Sequence, residues 1–332
     1  GDVYKRQMYK GKDDKGVAQG GPMFVLTEGI GRKMKPLAVM FAFCALFSGL
    51  PVMQANQLSE SLYSVILEPL GVPESRWVFL VIGLVIGGIV SLVIFGGLKR
   101  ISQVSSKIVP FMVGFYFLMV VGIMVVYHDR LPSVFEAIFE GAFCWKAGFG
   151  AFTAVALTGA RRAMFVNEAG VGTAGMMHGA SMNAEPVREG LVAMLGPAID
   201  SGLVCTLSAI PMIMAGLYST DSIKGLSIAL NTYDALIPFA GRYLLEFVVI
   251  IFAFSTMFSY SYYGTMCTSY LWGTRHAQKY RYFYVATIVL ASVLTLDVAV
   301  SLMDLAFALM AFPNMIAVFS LAPKVMKEAR RL

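Results

Sequence analysis

The stretch WVFLVIGLVIGGIVSLVIFGGL, residues 77–98, carries no charged side chain over its whole length. A helix rises about 1.5 Å per residue and the hydrocarbon core of a bilayer is about 30 Å thick, so roughly 20 apolar residues are enough to cross it. The segment meets this requirement and predicts a transmembrane helix.

The composition extends this prediction to the rest of the chain. Of its 332 residues, 58% are hydrophobic and only 14% are charged, which is more apolar than a soluble domain of this size needs. One predicted span, 147–160, has only fourteen apolar or small residues and needs its flanks to cross. The eight predicted spans are 36–58, 77–98, 108–127, 147–160, 190–217, 247–273, 282–298 and 299–322.

The basic residues are concentrated in alternate connections. The chain has 26 Lys and Arg against 20 Asp and Glu, a net charge of +6. The basic clusters lie before the first span and at 99–107, 161–188, 275–281 and 324–331, which places them on one side if the N-terminus is cytoplasmic. This predicts a multi-pass protein of the cytoplasmic (inner) membrane with both termini in the cytoplasm, and it argues against binding to nucleic acid.

The domain organisation follows from the same pattern. We expect a cytoplasmic lead-in at 1–34, a transmembrane bundle of about eight helices at 35–323 and a cytoplasmic tail at 324–332. The first residue is Gly1 and the first methionine is Met8. Residues 1–7 are interpreted either as an unrelated junction ahead of an N-terminally incomplete product or as the remnant of a tag.

A second stretch, RRAMFVNEAGVGTAGMMHG at 161–179, is unusual beside an apolar run because it combines two arginines, an Asn-Glu pair and four glycines. Lipid tolerates unwound backbone only where protein or a water-filled cavity surrounds it. The segment from Gly148 to Gly170 therefore predicts a broken helix that holds a substrate or an ion. The alternative is a re-entrant or interfacial loop with Arg161 and Arg162 on the cytoplasmic surface.

Hydroxyl groups lie in the middle of the predicted span 247–273. Ser255 and Thr256 offer hard oxygen ligands to sodium, and Tyr260 shares the helical face of Thr256 four residues earlier. The competing interpretation is that these hydroxyls bond the carbonyl groups of the preceding turn or a neighbouring helix.

Other polar side chains interrupt the apolar segments. The amides of Gln54 and Asn56 can donate to a carboxylate and accept from an ammonium, although solvation at the interface accounts for them equally well. Pro51 predicts a kink in the first span. Asp200 lies within a span, where a carboxylate is costly, and we expect it to face the interior of the bundle.

The sequence does not favour an enzyme. Its three histidines are far apart, and no HExxH, GxSxG or GxxxxGK[ST] pattern occurs.

Several motifs resemble those of the alanine-or-glycine:cation symporters, also called the sodium/alanine symporter family. RRAMFVNEAGVGTA resembles its RGxFSNEAGxGSA signature, and FAFSTMFSYSYYG at 252–264 is similar to FAFSTxxGWxYYG. Further likenesses are GGPMFVL at 20–26, VMQANQL at 52–58 and the segment 184–210, in the order found in the family.

The resemblance implies an all-α integral membrane protein with a leucine-transporter-type fold. That fold has ten core helices in two inverted five-helix repeats after one additional N-terminal helix. Family members carry a glycine-rich broken helix and its successor before the GGPM stretch, and nothing here corresponds to them. The implied fold is therefore an inverted-repeat helix bundle lacking its first two core helices.

The resemblance also implies a substrate site and a sodium site. The residues implied to line or support the amino-acid pocket are Gln54, Phe165, Asn167, Thr256 and Tyr260. Ser255 is implied to help ligate sodium. Two departures from the family pattern, Tyr260 in place of a tryptophan and Leu50-Pro51 in place of Gly-Asn, affect the shape of the pocket.

The expected function is sodium-coupled symport of a small neutral amino acid, alanine or glycine, without a cofactor other than sodium as the coupling ion. The expected partners are the amino acid, sodium and the lipid bilayer. The alternative is a transport-inactive membrane fragment or interaction protein that retains part of the bundle. In the 161–179 stretch, the glycines are interpreted as closing the intracellular end of a transport pathway, with Glu168 capping or pairing.

Overall fold

A computed structural model describes residues 9, 11–12, 18–143, 153, 156–160, 168–181, 186–217, 225–294 and 297–330. Over these ranges the chain is helical, apart from two short antiparallel strands, β1 (Gly11–Lys12) and β2 (Ala18–Gln19). The prediction of an all-α integral membrane protein is confirmed. The inverted repeat remains a prediction.

The first half of the described chain contains six helices. They are α1 (Pro22–Phe24, continued by the π-helix Val25–Ile30), α2 (Lys35–Ser48), α3 (Val52–Leu62, continued by the π-helix Tyr63–Leu67), α4 (Arg76–Ile94), α5 (Gly97–Val126) and α6 (Leu131–Phe143). Three-residue 3₁₀ turns precede α2 and α6.

Besides the helical residues 156–160, the second half of the described chain adds eight helices. They are α7 (Glu168–Val171), α8 (Ala174–Gly179), α9 (Pro186–Pro197, continued by the π-helix Ala198–Val204), α10 (Cys205–Ala215), α11 (Leu226–Leu236), α12 (Gly241–Trp272), α13 (Thr274–Ala291) and α14 (Asp297–Ala329).

Within the described ranges, six helical segments are long and apolar enough to cross a bilayer, by length and composition. They are Arg32–Leu67, Arg76–Ile94, Gly97–Val126, Arg188–Ala215, Gly241–Trp272 and Ser301–Lys327. Of the eight predicted spans, 147–160 lies largely outside the described residues. The span predicted at 282–298 corresponds to α13, which begins with the polar sequence TRHAQKYRY and ends at Ala291.

Helix α12 is the centre of the bundle. It packs against α2, α3, α4, α5, α11 and α13, and it also contacts α8. Two hydrophobic clusters meet along it, one with Met257, Phe258 and Tyr263 and the other with Leu245. A residue on α12 can therefore act on several elements at once.

Pro51 separates two helices instead of kinking one. Helix α2 ends at Ser48 and α3 begins at Val52, with Pro51 as the residue before its first turn. Proline suits this position because its missing N–H and fixed φ are compatible with a helix start. The backbone N–H of Ala55 bonds the Pro51 carbonyl at 2.9 Å, so the new helix is paired from its first turn.

The domain limits at 34 and 323 remain predictions, and helices are present beyond both of them. Residues 22–30 fall in the predicted lead-in, yet Met23, Val25 and Leu26 are fully buried and α1 packs against α2 and α14. At the other end α14 continues to Ala329, past the predicted limit of the bundle at 323. At both ends, apolar residues lie among charged ones and form helical structure. The pattern of charges alone does not predict these helical residues.

Asp200 corrects the expectation of an interior carboxylate. It lies in the π-helical turn Ala198–Val204 and is exposed. Most residues of α9 and of the π-helical turn that follows it are exposed, whereas α10 beyond them packs against α5, α6 and α11. A peripheral helix has few interior positions to offer, so the location of the helix explains the exposure.

The contact between α12 and α13 depends on a missing side chain. A Cβ atom added at Gly264 would overlap the ring and hydroxyl of Tyr280, which is 8% exposed and cannot swing away. Small residues let transmembrane helices approach closely. The absence of a side chain at Gly264 therefore sets the distance between these two helices.

We expect Gly264→Ala to destabilise the protein by about 1–3 kcal/mol, the usual effect of overpacking a tight interface. The measurement is the thermal unfolding midpoint of the purified protein in detergent. Gly122→Ala on α5 is the matched control, because nothing lies within 4 Å of a Cβ added there. Equal midpoints for the two variants would contradict the prediction.

Candidate functional site

The glycine-rich stretch contains a break between two short helices. Helix α7 ends at Val171 and α8 begins at Ala174, and Gly172 between them has φ 106°, which glycine adopts without steric penalty. Val171, Gly172 and Thr173 are buried. An interruption is therefore present in the protein interior, two residues beyond the predicted limit at Gly170.

Glu168, the carboxylate of this stretch, is paired. The Tyr263 hydroxyl on α12 donates to Glu168 Oε2 at 2.6 Å, and Thr173 on the far side of the break forms a side-chain hydrogen bond with the same carboxylate. Glu168 is half-buried. The interpretation that Glu168 pairs within the fold is confirmed, and the pair joins α7 to the central helix.

A second hydrogen bond holds the backbone of the break from the opposite side. Asn314 on α14 is 1% exposed, and its Nδ2 donates to the Gly170 carbonyl at 2.9 Å. A helix that stops at Val171 leaves its last carbonyl groups without intrahelical partners. Asn314 supplies one of the missing donors, so the side chains of two long helices stabilise the interruption.

The chain ahead of α1 contacts the end of α8 backbone to backbone. A Cβ atom added at Gly20 would lie 2.5 Å from Gly179 Cα, and one added at Gly179 would lie 2.5 Å from Gly20 Cα. Backbone meets backbone at this point, with Gly21 next to it at φ 140°. The GGPM stretch and the glycine-rich stretch therefore form one contact.

The exit from α8 is also held by side chains. His178 Nδ1 lies 2.6 Å from Glu189 Oε1 on α9, and the Ser181 hydroxyl donates to Glu189 Oε2 at 2.9 Å. Glu189 is 7% exposed. A buried carboxylate needs such partners because desolvation penalises an unpaired charge. The segment from Glu168 to Ser181 is consequently fixed at both ends and at its break.

The hydroxyls predicted to bind substrate and sodium lie on α12, one turn before Tyr260. Ser255 Oγ and Thr256 Oγ1 both donate to the Phe252 carbonyl, at 2.9 and 3.0 Å. These are the bonds to the preceding turn that the competing interpretation of the hydroxyls predicts. The two interpretations are compatible, because a hydroxyl that donates its one proton keeps its oxygen lone pairs for a cation or an ammonium.

Tyr260 connects these hydroxyls to the glycine-rich stretch. It is 8% exposed, its ring centroid is 6.0 Å from that of Tyr263, and the Glu168 carboxylate interacts with it electrostatically. Thr256 and Tyr260 are four residues apart and share one face of α12. The face predicted to line the pocket therefore reaches the helix break.

Gln54 lies on α3, which packs against α12. The side chain is half-buried, and its Oε1 is buried without a hydrogen-bond partner among the residues that the structure describes. A buried acceptor without a partner costs about 1–3 kcal/mol, which a ligand that donates a hydrogen bond recovers. Gln54 thus has the unused capacity expected of a binding residue.

Two predicted site residues, Phe165 and Asn167, lie outside the described residues. The structure brings the remaining four to adjacent helices, with Gln54 on α3 and Ser255, Thr256 and Tyr260 on α12.

Comparison with known proteins identifies the family. The model of the sodium:alanine symporter family matches residues 4–331. This chain belongs to the sodium:alanine symporter family. It is thus a transporter and a multi-pass membrane protein, not an enzyme.

Three relatives show the range of this symporter family. The sodium/alanine symporter AgcS of Methanococcus maripaludis is 33% identical, covering 97% of this chain and 71% of that protein. The putative sodium/proton-dependent alanine carrier protein YrbD of Bacillus subtilis is 31% identical, covering 95% and 67%. The probable sodium/glutamine symporter GlnT of Bacillus subtilis is 27% identical, covering 96% and 65%.

Sequence reasoning missed two residues that hold the break in this symporter. Asn314 carried a usable signal, since it is an amide within the apolar run AFPNMIAVF, where polar residues need a partner. Tyr263 did not, because it is one of three tyrosines in SYSYYG and only the fold shows which hydroxyl meets Glu168.

We expect Tyr263→Phe to loosen the glycine-rich stretch, because it removes the hydroxyl that donates to the Glu168 carboxylate. A hydrogen bond to a charged group contributes about 1.5–3 kcal/mol. The measurement is hydrogen–deuterium exchange by mass spectrometry, in which peptides covering 168–181 should exchange faster.

Tyr262→Phe is the matched control, since this half-buried neighbour on the same helix makes no hydrogen bond through its hydroxyl within the described structure. If the two variants exchange alike over 168–181, the Tyr263 hydroxyl does not hold the break.

Proposed function

We propose that this symporter couples the inward movement of sodium across the cytoplasmic membrane to uptake of a small neutral amino acid, alanine or glycine. Family membership supports sodium-coupled amino-acid transport in general, and the names of two relatives refer to alanine. The proposed orientation has both termini in the cytoplasm, as the basic loops indicate.

The observation that carries this proposal is the buried break at Gly172, next to a face of α12 that bears hydroxyls. Helix breaks inside a membrane bundle expose N–H and carbonyl groups that bind ions and charged substrate groups. Here the break is held by Glu168 with Tyr263 and by Gly170 with Asn314. Such support keeps the unwound backbone ordered at the proposed pathway.

The proposed roles of the site residues follow from their chemistry. Gln54 offers an amide oxygen that has no partner among the described residues to the substrate ammonium, and Thr256 offers its lone pairs on the adjacent helix. Tyr260 provides a large, nearly buried wall that limits the size of the substrate side chain. Phe165 and Asn167 are proposed to complete the pocket from the glycine-rich side.

Sodium is proposed to lie beside Ser255. Sodium prefers hard oxygen ligands, and the Ser255 hydroxyl keeps two lone pairs after donating to Phe252. Bound sodium supplies the positive charge that couples its own gradient to the movement of the zwitterionic substrate. In this proposal Ser255 only orients and binds, since no bond is made or broken in transport.

The function is tested by uptake of radiolabelled alanine and glycine into proteoliposomes. We expect accumulation that depends on an inward sodium gradient and stops when monensin collapses it. A protonophore should leave uptake unchanged. Uptake that persists without a sodium gradient and follows an imposed proton gradient would contradict sodium coupling.

We expect Thr256→Val to reduce alanine uptake by about tenfold or more, because a lost hydrogen bond to a charged group contributes about 1.5–3 kcal/mol. The matched control is Thr287→Val on α13, where the hydroxyl also donates to the carbonyl four residues earlier at 3.0 Å. If the role of Thr256 were only this intrahelical bond, the two variants would transport alike.

Ser255→Ala tests the sodium role separately. We expect the sodium concentration that gives half-maximal uptake to rise several-fold while the maximal rate at saturating sodium changes less. An unchanged sodium dependence in this variant would remove Ser255 from the sodium site.

A further inference from the structure

A polar cleft opens at the end of the bundle where α3 ends and α4 begins, away from the hydroxyl face of α12. Its volume is about 650 Å³, and α11 and the turn between α13 and α14 complete its walls. By the predicted orientation this end faces the outside of the cell. None of the residues assigned above to the substrate or sodium site lines the cleft.

The rim of the cleft is acidic. Its exposed charged residues are Glu60, Glu68, Glu74 and Arg76, three carboxylates against one guanidinium. The chain as a whole carries a net charge of +6, so this local excess of negative charge runs against the global charge. A cleft lined by charges of one sign concentrates ligands of the opposite sign.

The floor of the cleft presents acceptors. Asn56 is 5% exposed, and its Nδ2 donates to the carbonyls of Ala291 and Leu294 at 3.3 and 3.0 Å. These two bonds fix the amide, and its Oδ1 is buried with no hydrogen-bond partner in the described part of the chain. A fixed, unpartnered acceptor of this kind is unusual in a folded protein and indicates a missing donor.

Two serine hydroxyls near the floor of the cleft already act as hydrogen-bond donors to other groups. Ser61 Oγ donates within the protein, to Glu246 Oε1 or to the Leu58 carbonyl, each at 3.1 Å, and Ser292 Oγ donates to Ile288 at 3.0 Å. Both serines are 3% exposed. Ser292 Oγ lies against Gly83 of α4, where a Cβ atom would be only 2.8 Å from it, so it is not counted as an acceptor of the cleft. Ser61 Oγ and Asn56 Oδ1 are the two oxygen acceptors of the floor beneath the acidic rim.

The wall that carries the rim is fixed in place. The Tyr63 hydroxyl donates to the Val72 carbonyl at 3.0 Å, and its ring lies 5.4 Å from that of Phe79. Ser75 caps the start of α4 by accepting from the Trp77 N–H at 3.3 Å. The connection with Glu68 and Glu74 is thus attached to helices on both sides.

We propose that this cleft is a second binding site, specific for a small primary ammonium group. Such a group has one positive charge, which suits the acidic rim, and three N–H donors, which suit the acceptors of the floor. A transition-metal or other divalent ion fits less well, because the described residues include no group of three or more His, Cys, Asp and Glu side chains that could hold one. The site does not depend on the proposed transport function.

The test is equilibrium binding of ethylammonium to the purified full chain in lipid nanodiscs at low ionic strength, measured by saturation-transfer NMR. We expect saturable binding of ethylammonium. Tetramethylammonium has the same charge but no N–H donor, and we expect it to bind at least severalfold more weakly. Sodium at equal concentration should not displace ethylammonium.

Variants locate the binding. Glu60→Gln and Glu74→Gln change exposed rim residues, and each should raise the dissociation constant roughly two- to fivefold, the range of an exposed ion pair. Glu136→Gln and Glu140→Gln on α6 are the matched controls, since both carboxylates are exposed and lie outside the cleft. Asn56→Leu should abolish binding, and its thermal unfolding midpoint shows whether it folds.

Several outcomes would overturn the proposal. Equal binding of tetramethylammonium and ethylammonium would reduce the cleft to nonspecific attraction of cations. Displacement by equimolar sodium would assign it to an inorganic ion. Equal effects of the rim variants and the α6 controls would place the binding elsewhere, whatever the result of the uptake assays.

Discussion

A backbone polar group in a membrane bundle needs a partner, and the structure of this protein depends on how that requirement is met at Gly172. The helix is interrupted there inside the protein, where water is not freely available to replace the lost bonds. The Asn314 amide donates to the Gly170 carbonyl in place of a helical N–H, and the Glu168 carboxylate, which accepts from the Tyr263 hydroxyl, attaches α7 to α12. The interruption persists because two long helices, α12 and α14, hold it from opposite sides.

The same arrangement explains why α12 is central. Along one helix, Leu245 joins one hydrophobic cluster, Thr256 and Tyr260 form the proposed pocket face, and Tyr263 holds the break. Gly264, one residue further, allows α13 to approach. Between Thr256 and Gly264, stability and proposed function are therefore located in less than three helical turns. Substitutions in this part of α12 affect packing and binding together, and matched controls on α5 and α13 separate the two effects.

Some features of this fold follow directly from the sequence. Long uncharged runs such as 77–98 predict spans because lipid excludes charge, and the structure has a helix there at Arg76–Ile94. The glycines at 170–179 predict an interruption because few other residues adopt the backbone angles of Gly172. Both signals are local, and each depends on the physics of a short segment.

Other features depend on the assembled fold. Asp200 is exposed because α9 and the π-helical turn Ala198–Val204 lie at the periphery of the described bundle, a fact that no local pattern encodes. The burial of α1 depends on contacts with α14, about 290 residues away in the chain. Likewise Asn56 is visible in the sequence as an interfacial amide, but its orientation is fixed by the carbonyls of Ala291 and Leu294, which leave its oxygen without a partner among the described residues.

The contact between Gly20 and Gly179 has a mechanical consequence. Because main chain rests on main chain without intervening side chains, there is no flexible layer that could absorb sliding between the two segments. The stretch ahead of α1 and helix α8 must shift as one rigid unit whenever the bundle rearranges. Any hinge that opens this end of the molecule therefore lies outside the Gly20–Gly179 contact, and the glycines with positive φ on its two sides are Gly21, at 140°, and Gly172, at 106°.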